Sequence, residues 1–515
     1  MMERLMVDDL THWAHDYKVD GFRFDIMGHH FVSNMARVRR ALDELTVEKD
    51  GVDGRSVYLY GESWDFGEVA LNARGRNATQ HNTGGTRIGS FNDRLRDGAM
   101  GGSPYHSPDT QGFCTGLFVD PNERALREAA AEGAALSAAA AMGASADEDG
   151  GGAIVNPPAP SPCSSTATET LRLGLERQRL ELLERSDWVR CSLAGNLADF
   201  ALPSSLDGRV LAGRTLKYHG NQPLCYGRDP CEHVAYIGCH DNETIFDQVA
   251  MRLPFKASAE DRARACRLAL ALSCLSIGVP FLHAGDDLLR SKSLDRDSYD
   301  SGDWFNAVDW TGEKGNNFGV GLPPASKNGA QWPAKRRLLR DAGRVAPSPL
   351  MRRQAARYVR ALLRVRYSSP LFRMPLAEHV CAQVRFANTG PDQTPGVIVM
   401  VLASSRPPPA AAGSAVGGGG GGENSGHGTH DPLHASVVCV FNARPEPYEC
   451  AFPIGESGGL GSGALRLHPA LEELRGDGDG DDGRDAALEG CFVDASKRRL
   501  VVAARTAAVF VEDWA

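Results

Sequence analysis

From its first residues the chain switches between two hydrophobic periods. Leu5, Leu10, Trp13 and Ala14 recur at helical spacing up to Tyr17, and a strand-like segment, residues 19–26, follows at once. Its two parities differ in character. Phe22, Phe24 and Ile26 form one face, and Gly21, Arg23 and Asp25 form the other. Such a strand suits a barrel: the apolar side packs on outer helices, and the other side points inward and turns polar at the C-terminal mouth. The pattern recurs over residues 56–62, where Val57 and Leu59 alternate with Tyr58, Tyr60 and Glu62. Residues 87–92, 234–239 and 278–282 are three further strands. An amphipathic helix over 259–275 lies between the last two, and a long helix over about 351–367 closes this part.

Strands alternating with helices predict a parallel α/β layout up to about residue 370. From about residue 375 the character changes. Residues 397–402, 436–441 and 500–511 are β-rich with no helix of comparable length between them, which predicts a separate all-β sandwich over 375–515. Three low-complexity runs, about 128–168, 407–430 and 475–485, read as disordered insertions, since their composition offers little apolar area to offset ordering entropy.

Composition adds exclusions. The 515 residues carry 65 acidic and 56 basic side chains, a formal charge of −9, which argues against nucleic acid or an anionic membrane as partner. The longest apolar stretch, 268–284, is broken by Ser273, Ser276, Gly278 and Pro280 and reads as a buried helix followed by a buried strand. Met1-Met2-Glu3-Arg4 lacks the apolar core of a secretory signal. The 12 cysteines include no Cys-x-x-Cys pair, so they read as reduced packing residues and no zinc site is expected.

Three carboxylates, Asp25, Glu62 and Asp241, fall at the C-terminal ends of predicted parallel strands. In a barrel those ends converge on one mouth. A retaining glycosidase needs two carboxylates about 5–5.5 Å apart, and strands about 4.8 Å apart can supply them. Any one such residue alone is ordinarily a solvated loop carboxylate; the surrounding residues change that weighing.

Val19-Asp20-Gly21-Phe22-Arg23-Phe24-Asp25-Ile26-Met27-Gly28-His29-His30 resembles the nucleophile strand of pullulanases and limit dextrinases, members of the α-amylase superfamily. Tyr60-Gly61-Glu62-Ser63-Trp64-Asp65 resembles their acid/base strand, and Gly238-Cys239-His240-Asp241-Asn242-Glu243-Thr244 the strand bearing their third carboxylate. The short acidic signatures are shared across the superfamily. The long run from His283 to Tyr299, continuing through Asp303-Trp304-Phe305-Asn306, is narrower and points to starch-debranching enzymes.

The resemblance implies a partial (β/α)8 TIM barrel, residues 1–370, followed by the sandwich, and hydrolysis of α-1,6 branch linkages in starch, pullulan or limit dextrins by a retaining mechanism. Asp25 would be the nucleophile, held ionised by Arg23 two residues earlier on the same face. Glu62 would donate the proton, which needs a less polar pocket. Trp64 would desolvate Glu62 or stack on a sugar ring. Asp241 would bind ring hydroxyls beside His240, and Arg296, Asp297 and Asp303 would contact glucose units further from the cut or brace their loop. His29, His30, Trp304 and Phe305 read as structural or packing residues. Ser63 stands where relatives usually have Gly, and Glu243 where Gln is usual. No cofactor is called for; calcium, which many relatives hold structurally, has no loop here to which it can be assigned. The implied partner is a branched α-glucan and the implied location plastid or cytoplasm. The chain opens in the helix before the nucleophile strand, so the relatives' earlier barrel strands are expected to be missing, and with them activity of this chain alone. The rival readings are a non-catalytic glucan-binding relative and another superfamily specificity such as isoamylase.

Overall fold

The computed structural model describes residues 1–103, 105–144, 164–405, 428–452, 464–476 and 484–514. Helix α1 (Met2–Tyr17) leads into strand β1 (Gly21–Phe24); helix α2 (Val32–Asp43) crosses over to strand β2 (Tyr58–Gly61). With β3 (Gly89–Phe91), β4 (His233–Ala235) and β5 (Val279–Pro280) these strands form one five-stranded sheet in chain order, every neighbour parallel. Among the described residues it stays open, β1 and β5 each pairing on one side only.

The sheet's two faces differ as the parity of the sequence predicts. Phe22, Phe24, Val57, Leu59 and Ile88 pack against Ala14 of α1 and Met35, Val38 and Leu42 of α2. The opposite face carries an aromatic layer of Phe91 and Tyr236 with Tyr58, Tyr60, Trp64 and Phe281. Ile26 is a correction. It does not join the apolar face but is 39% exposed, in the left-handed region at φ 42, because the chain leaves the sheet immediately after Asp25. The strand expected over 234–239 stops at Ala235, and β5 is a half-buried edge rather than a buried strand.

Helices α3 (Asp93–Met100), α4 (Glu123–Ala144) and α5 (Ser164–Leu193) fill the connection from β3 to β4. This corrects the expected disorder for residues 128–144 and 164–168. Alanine is the strongest helix former, and α4 and α5 run antiparallel in close contact, with the buried Gly133 against the Thr170 backbone and Gly174 against that of Ala129. A Cβ at either glycine would collide with the opposite helix, so close approach needs both. Residues 145–163 of that run lie outside the described residues, as do 406–427 and 477–483, most of the other two.

Beyond β4 come α6 (Ile245–Arg252), α7 (Ala259–Leu275) and α8 (Pro349–Ser368). Ser258 caps α7 by accepting from the Asp261 N–H, and Ser348 caps α8 ahead of Pro349, which fixes both starts. The C-terminal part has two antiparallel sheets. Strands β6 (Val384–Ala387), β7 (Val397–Ala403), β8 (His434–Asn442), β9 (Tyr448–Ala451), β10 (Leu465–Leu467), β11 (Phe492–Asp494), β12 (Arg499–Val502) and β13 (Thr506–Asp513) are arranged as β6-β7-β8-β13-β10 and β9-β12-β11. The β-rich stretch at 500–511 is therefore two strands in different sheets, broken where Arg505 takes φ 48. One apolar core runs from Leu95 through α7 and α8 to Val511, so the helices and the larger antiparallel sheet share an interior.

Candidate active site

The register pairs Phe24 with Gly61, which sets Asp25 and Glu62 side by side just past the ends of β1 and β2. Their side chains are 76% and 13% exposed respectively. Between them lies the guanidinium of Arg23. One terminal nitrogen is 3.6 Å from Asp25 Oδ1 and the other 3.0 Å from Glu62 Oε1. The Arg23–Asp25 pairing read from the sequence is present, and Glu62 is the closer of the two partners. Arg23 pairs in register with Tyr60, and Glu62 lies two residues on, along the same face. The Arg23 guanidinium also stands 5.7 Å from the Phe91 ring centre, above the aromatic layer.

The left-handed turn at Ile26 serves the same pair, because its N–H donates to Glu62 Oε2 at 3.0 Å. Glu62 is fixed through its backbone as well: its N–H donates to the Phe24 carbonyl, and its carbonyl accepts from the Gly28 N–H at 2.8 Å. Gly28 passes so close to the Trp64 carbonyl that a Cβ would overlap it, so glycine is required there. Trp64 itself is half-buried and packs against Phe91, Val234 and Tyr236, a partly buried core contact rather than a free platform.

Asp241 sits beyond the end of β4, on the loop 239–242 that turns at Asn242 (φ 60). Its carboxylate is 3.5 Å from His240 Nε2, and both side chains are 58% exposed. Asp241 lines a cleft together with Arg96, Tyr236, Glu243, Gln248 and Arg252. Sequence reading missed Arg96 and Arg252. Arg96 donates to Asp97 Oδ1 and to the Tyr236 hydroxyl, both at 2.7 Å, and Asp97 also accepts from Tyr218 and stands 3.2 Å from His219 Nε2. Burial disfavours the charged form of Asp97, and the Arg96 guanidinium together with the hydrogen bonds from His219 and Tyr218 outweighs it, holding the carboxyl well below its usual range. Burial lowers Arg252 to about 10, with Glu243 opposing. The available signal was Arg94-Leu-Arg96-Asp97 directly after the third predicted strand: charges gathered in the first turn of a helix that starts at the mouth.

The run after His283 lies behind this loop. Lys292 Nζ donates to the His240 carbonyl at 3.1 Å, while the Lys292 N–H and Ser291 hydroxyl donate to Asp247 at 2.7 and 2.5 Å. Burial pushes Asp247 up to about 6 and Asp286 up to about 7, and pushes His283 down to about 4. These groups form an interior scaffold for residues 239–242.

Arg296 and Asp297 reach the short helix Ala325–Asn328: the Arg296 N–H donates to Asn328 Oδ1 at 3.2 Å, and Asp297 is 3.6 Å from Lys327 Nζ. Phe305 is buried as expected, whereas Trp304 is 60% exposed, which corrects its reading as a packing residue. His29 packs against Phe66 and His30 against the edge of Phe24, with ring centres 4.8 and 6.2 Å apart.

Against known proteins, residues 313–513 match the family model described as the C-terminal domain of pullulanase-type α-1,6-glucosidases. Across 99% of its length the chain is 38% identical to the chloroplastic pullulanase 1 of Arabidopsis thaliana, and across 78% it is 34% identical to the pullulanase of Klebsiella aerogenes. Its structure superposes over 100% of its length on the crystal structure of a maltotriose complex of the pullulanase PulA from Klebsiella pneumoniae, with a TM-score of 0.76 and 30% identity. The chain spans 45% of the Arabidopsis protein, 31% of the Klebsiella aerogenes protein and 45% of the chain in that crystal structure. The resemblance to pullulanases carried by the motifs at Asp25, Glu62 and Asp241 thus extends over the whole sequence. Among the described residues no helix is long and apolar enough to cross a membrane.

Proposed function

We propose that this chain carries the acidic centre of a debranching glycoside hydrolase that cleaves α-1,6 linkages in starch, pullulan or limit dextrins with retention. The observation that carries the reading is the single Arg23 guanidinium in contact with both Asp25 and Glu62, which sets two carboxylates on adjacent strands around one cation. In this reading the five parallel strands are part of a (β/α)8 barrel over residues 1–370, and the β-rich part from 375 is a sandwich domain whose larger sheet shares its interior with the barrel's helices. Asp25, the more exposed carboxylate, attacks the anomeric carbon, and Glu62 protonates the departing glucosyl oxygen and then activates water. Arg23 orients both. Asp241 and His240 hold ring hydroxyls, contacts that strengthen as the oxocarbenium-like state forms. Trp64 desolvates Glu62 from its packed position, and Arg296 and Asp297 contact glucose units further from the cut. Branched α-glucan is the partner, and the chloroplastic relative supports a plastid location.

Linkage specificity tests the reading. A protein containing these residues should release maltotriose from pullulan and leave linear amylose nearly untouched. Short linear oligomers from amylose would move it to the α-1,4 hydrolases, and glucan binding without turnover to the non-catalytic relatives.

A further inference from the structure

The loop that presents Asp241 also places three different metal-ligating atoms together. Cys239 Sγ, a His240 ring nitrogen and an Asp241 carboxylate oxygen all lie within 4.8 Å of one another. We infer that Cys239, His240 and Asp241 form a binding site for a soft or borderline divalent cation of the Zn2+ class.

A thiolate, an imidazole and a carboxylate are the donor types such an ion takes, and three protein ligands with one open position is the usual pattern of an accessible site. Tetrahedral bonds of about 2.0–2.3 Å put ligand atoms about 3.3–3.6 Å apart, so a contraction of roughly 1 Å closes the set. The His240–Asp241 pair already stands at 3.5 Å, and both side chains are 58% exposed and free to rotate inward. Cys239, by contrast, is partly buried with its Sγ 3.9 Å from the Asp241 carbonyl, so it supplies a fixed anchor. The loop is held from behind by Lys292, whose ammonium bonds the His240 carbonyl and leaves the imidazole unengaged by that contact. The charged groups beside Cys239 include the carboxylates of Asp241 and Glu62 and the guanidinium of Arg96, with the Lys292 ammonium on the far side of the loop. Burial raises the Cys239 thiol above its ordinary range, so metal binding must displace its proton to solvent as the sulfur–metal bond forms. The sequence pattern hides the site because its ligands are consecutive rather than spaced as in a zinc motif.

In the proposed hydrolase the ion would occupy the two side chains assigned to the sugar, excluding glucan while bound; that consequence rests on the functional reading, the metal site itself does not. The test therefore reads the metal directly. The full chain, freed of metal by chelation, is titrated with Co2+, which reports a thiolate ligand by its charge-transfer absorption, and with Zn2+ in displacement of Co2+. One equivalent should bind with a thiolate–cobalt band. Cys239→Ser should abolish the band and weaken Zn2+ by more than about tenfold, and His240→Asn, on a loop position exposed enough to spare the fold, should weaken it similarly. A cobalt–thiolate band that survives Cys239→Ser, or no saturable binding by the parent chain, overturns the proposal.

Discussion

Two arginine–carboxylate groupings in this molecule share their chemistry and differ in everything else. At the open end of the parallel sheet Arg23 touches Asp25 and Glu62, and Asp25 is 76% exposed. At the seam between the helices and the C-terminal sheets, Arg267 of α7 meets Asp485 at 2.7 Å, with the two side chains 5% and 6% exposed. Asp485 also accepts from the Ala487 N–H, and the Arg267 guanidinium lies 5.8 Å from the Tyr358 ring centre, so the seam pair is desolvated and hydrogen-bonded. A buried pair specifies how two surfaces dock, and it is costly to break because the survivor is left charged and dry. A hydrated pair contributes little to stability, and its charge remains available to an incoming ligand.

The sharpest way to break the contrast is Asp25→Asn. In a protein active on pullulan, turnover should fall by about 10⁴-fold or more while maltotriose still binds. Stability should change by less than about 0.5 kcal/mol, as for other surface sites. Near-normal turnover would remove Asp25 as nucleophile. Next in size, Asp485→Ala should lower unfolding free energy by about 3–5 kcal/mol in urea titrations, with kcat/KM on pullulan unchanged. A loss below about 1 kcal/mol would place the seam pair with the surface pairs instead.

A smaller effect concerns pH. Burial raises Asp286 to about 7 from an ordinary value of 3.8, and the neighbouring His283 is held neutral by its own burial near that pH. The folded chain therefore binds a proton that the unfolded chain releases between about pH 4 and 7. Stability from this group is full below pH 4 and is lost as pH rises through 7. Asp286→Asn, neutral at every pH, should flatten the fall in melting temperature between pH 5 and pH 8. An unchanged pH slope would assign that fall to other groups, with Asp247, raised to about 6, the first to examine.

The contrast also marks what the sequence made legible. Strand parity located β1, β2 and β3 within a few residues, and residues 259–275 coincide with α7, because one-sided apolar repetition reports burial on one face. Asp25 and Glu62 were legible for the same reason, as charged residues ending an inward parity. What parity could not reveal was set by backbone geometry and distant partners. Ile26 leaves its apolar face because a hydrogen bond to Glu62 draws the chain into a left-handed turn. Arg23 prefers Glu62 over Asp25 because of register across strands. Arg252 comes to the cleft at the end of a helix whose own pattern reveals nothing of it. The two ends of the alanine-rich run, 128–144 and 164–168, were misjudged because composition was weighed without the pairing of Gly133 and Gly174 across two helices.

That helical hairpin bears on how the chain folds. Pairing β1 with β2 joins Gly21 to Tyr58, a short crossover, whereas pairing β3 with β4 joins Ser90 to His233. Because closure entropy grows only with the logarithm of loop length, the longer connection costs roughly 1 kcal/mol more than the shorter one. Helices α4 and α5 meet across Gly133 and Gly174, and once paired they shorten the distance the remaining chain must search. The β3–β4 register therefore closes over a long connection built largely of helices, whereas the β1–β2 register beside Glu62 closes over a short one.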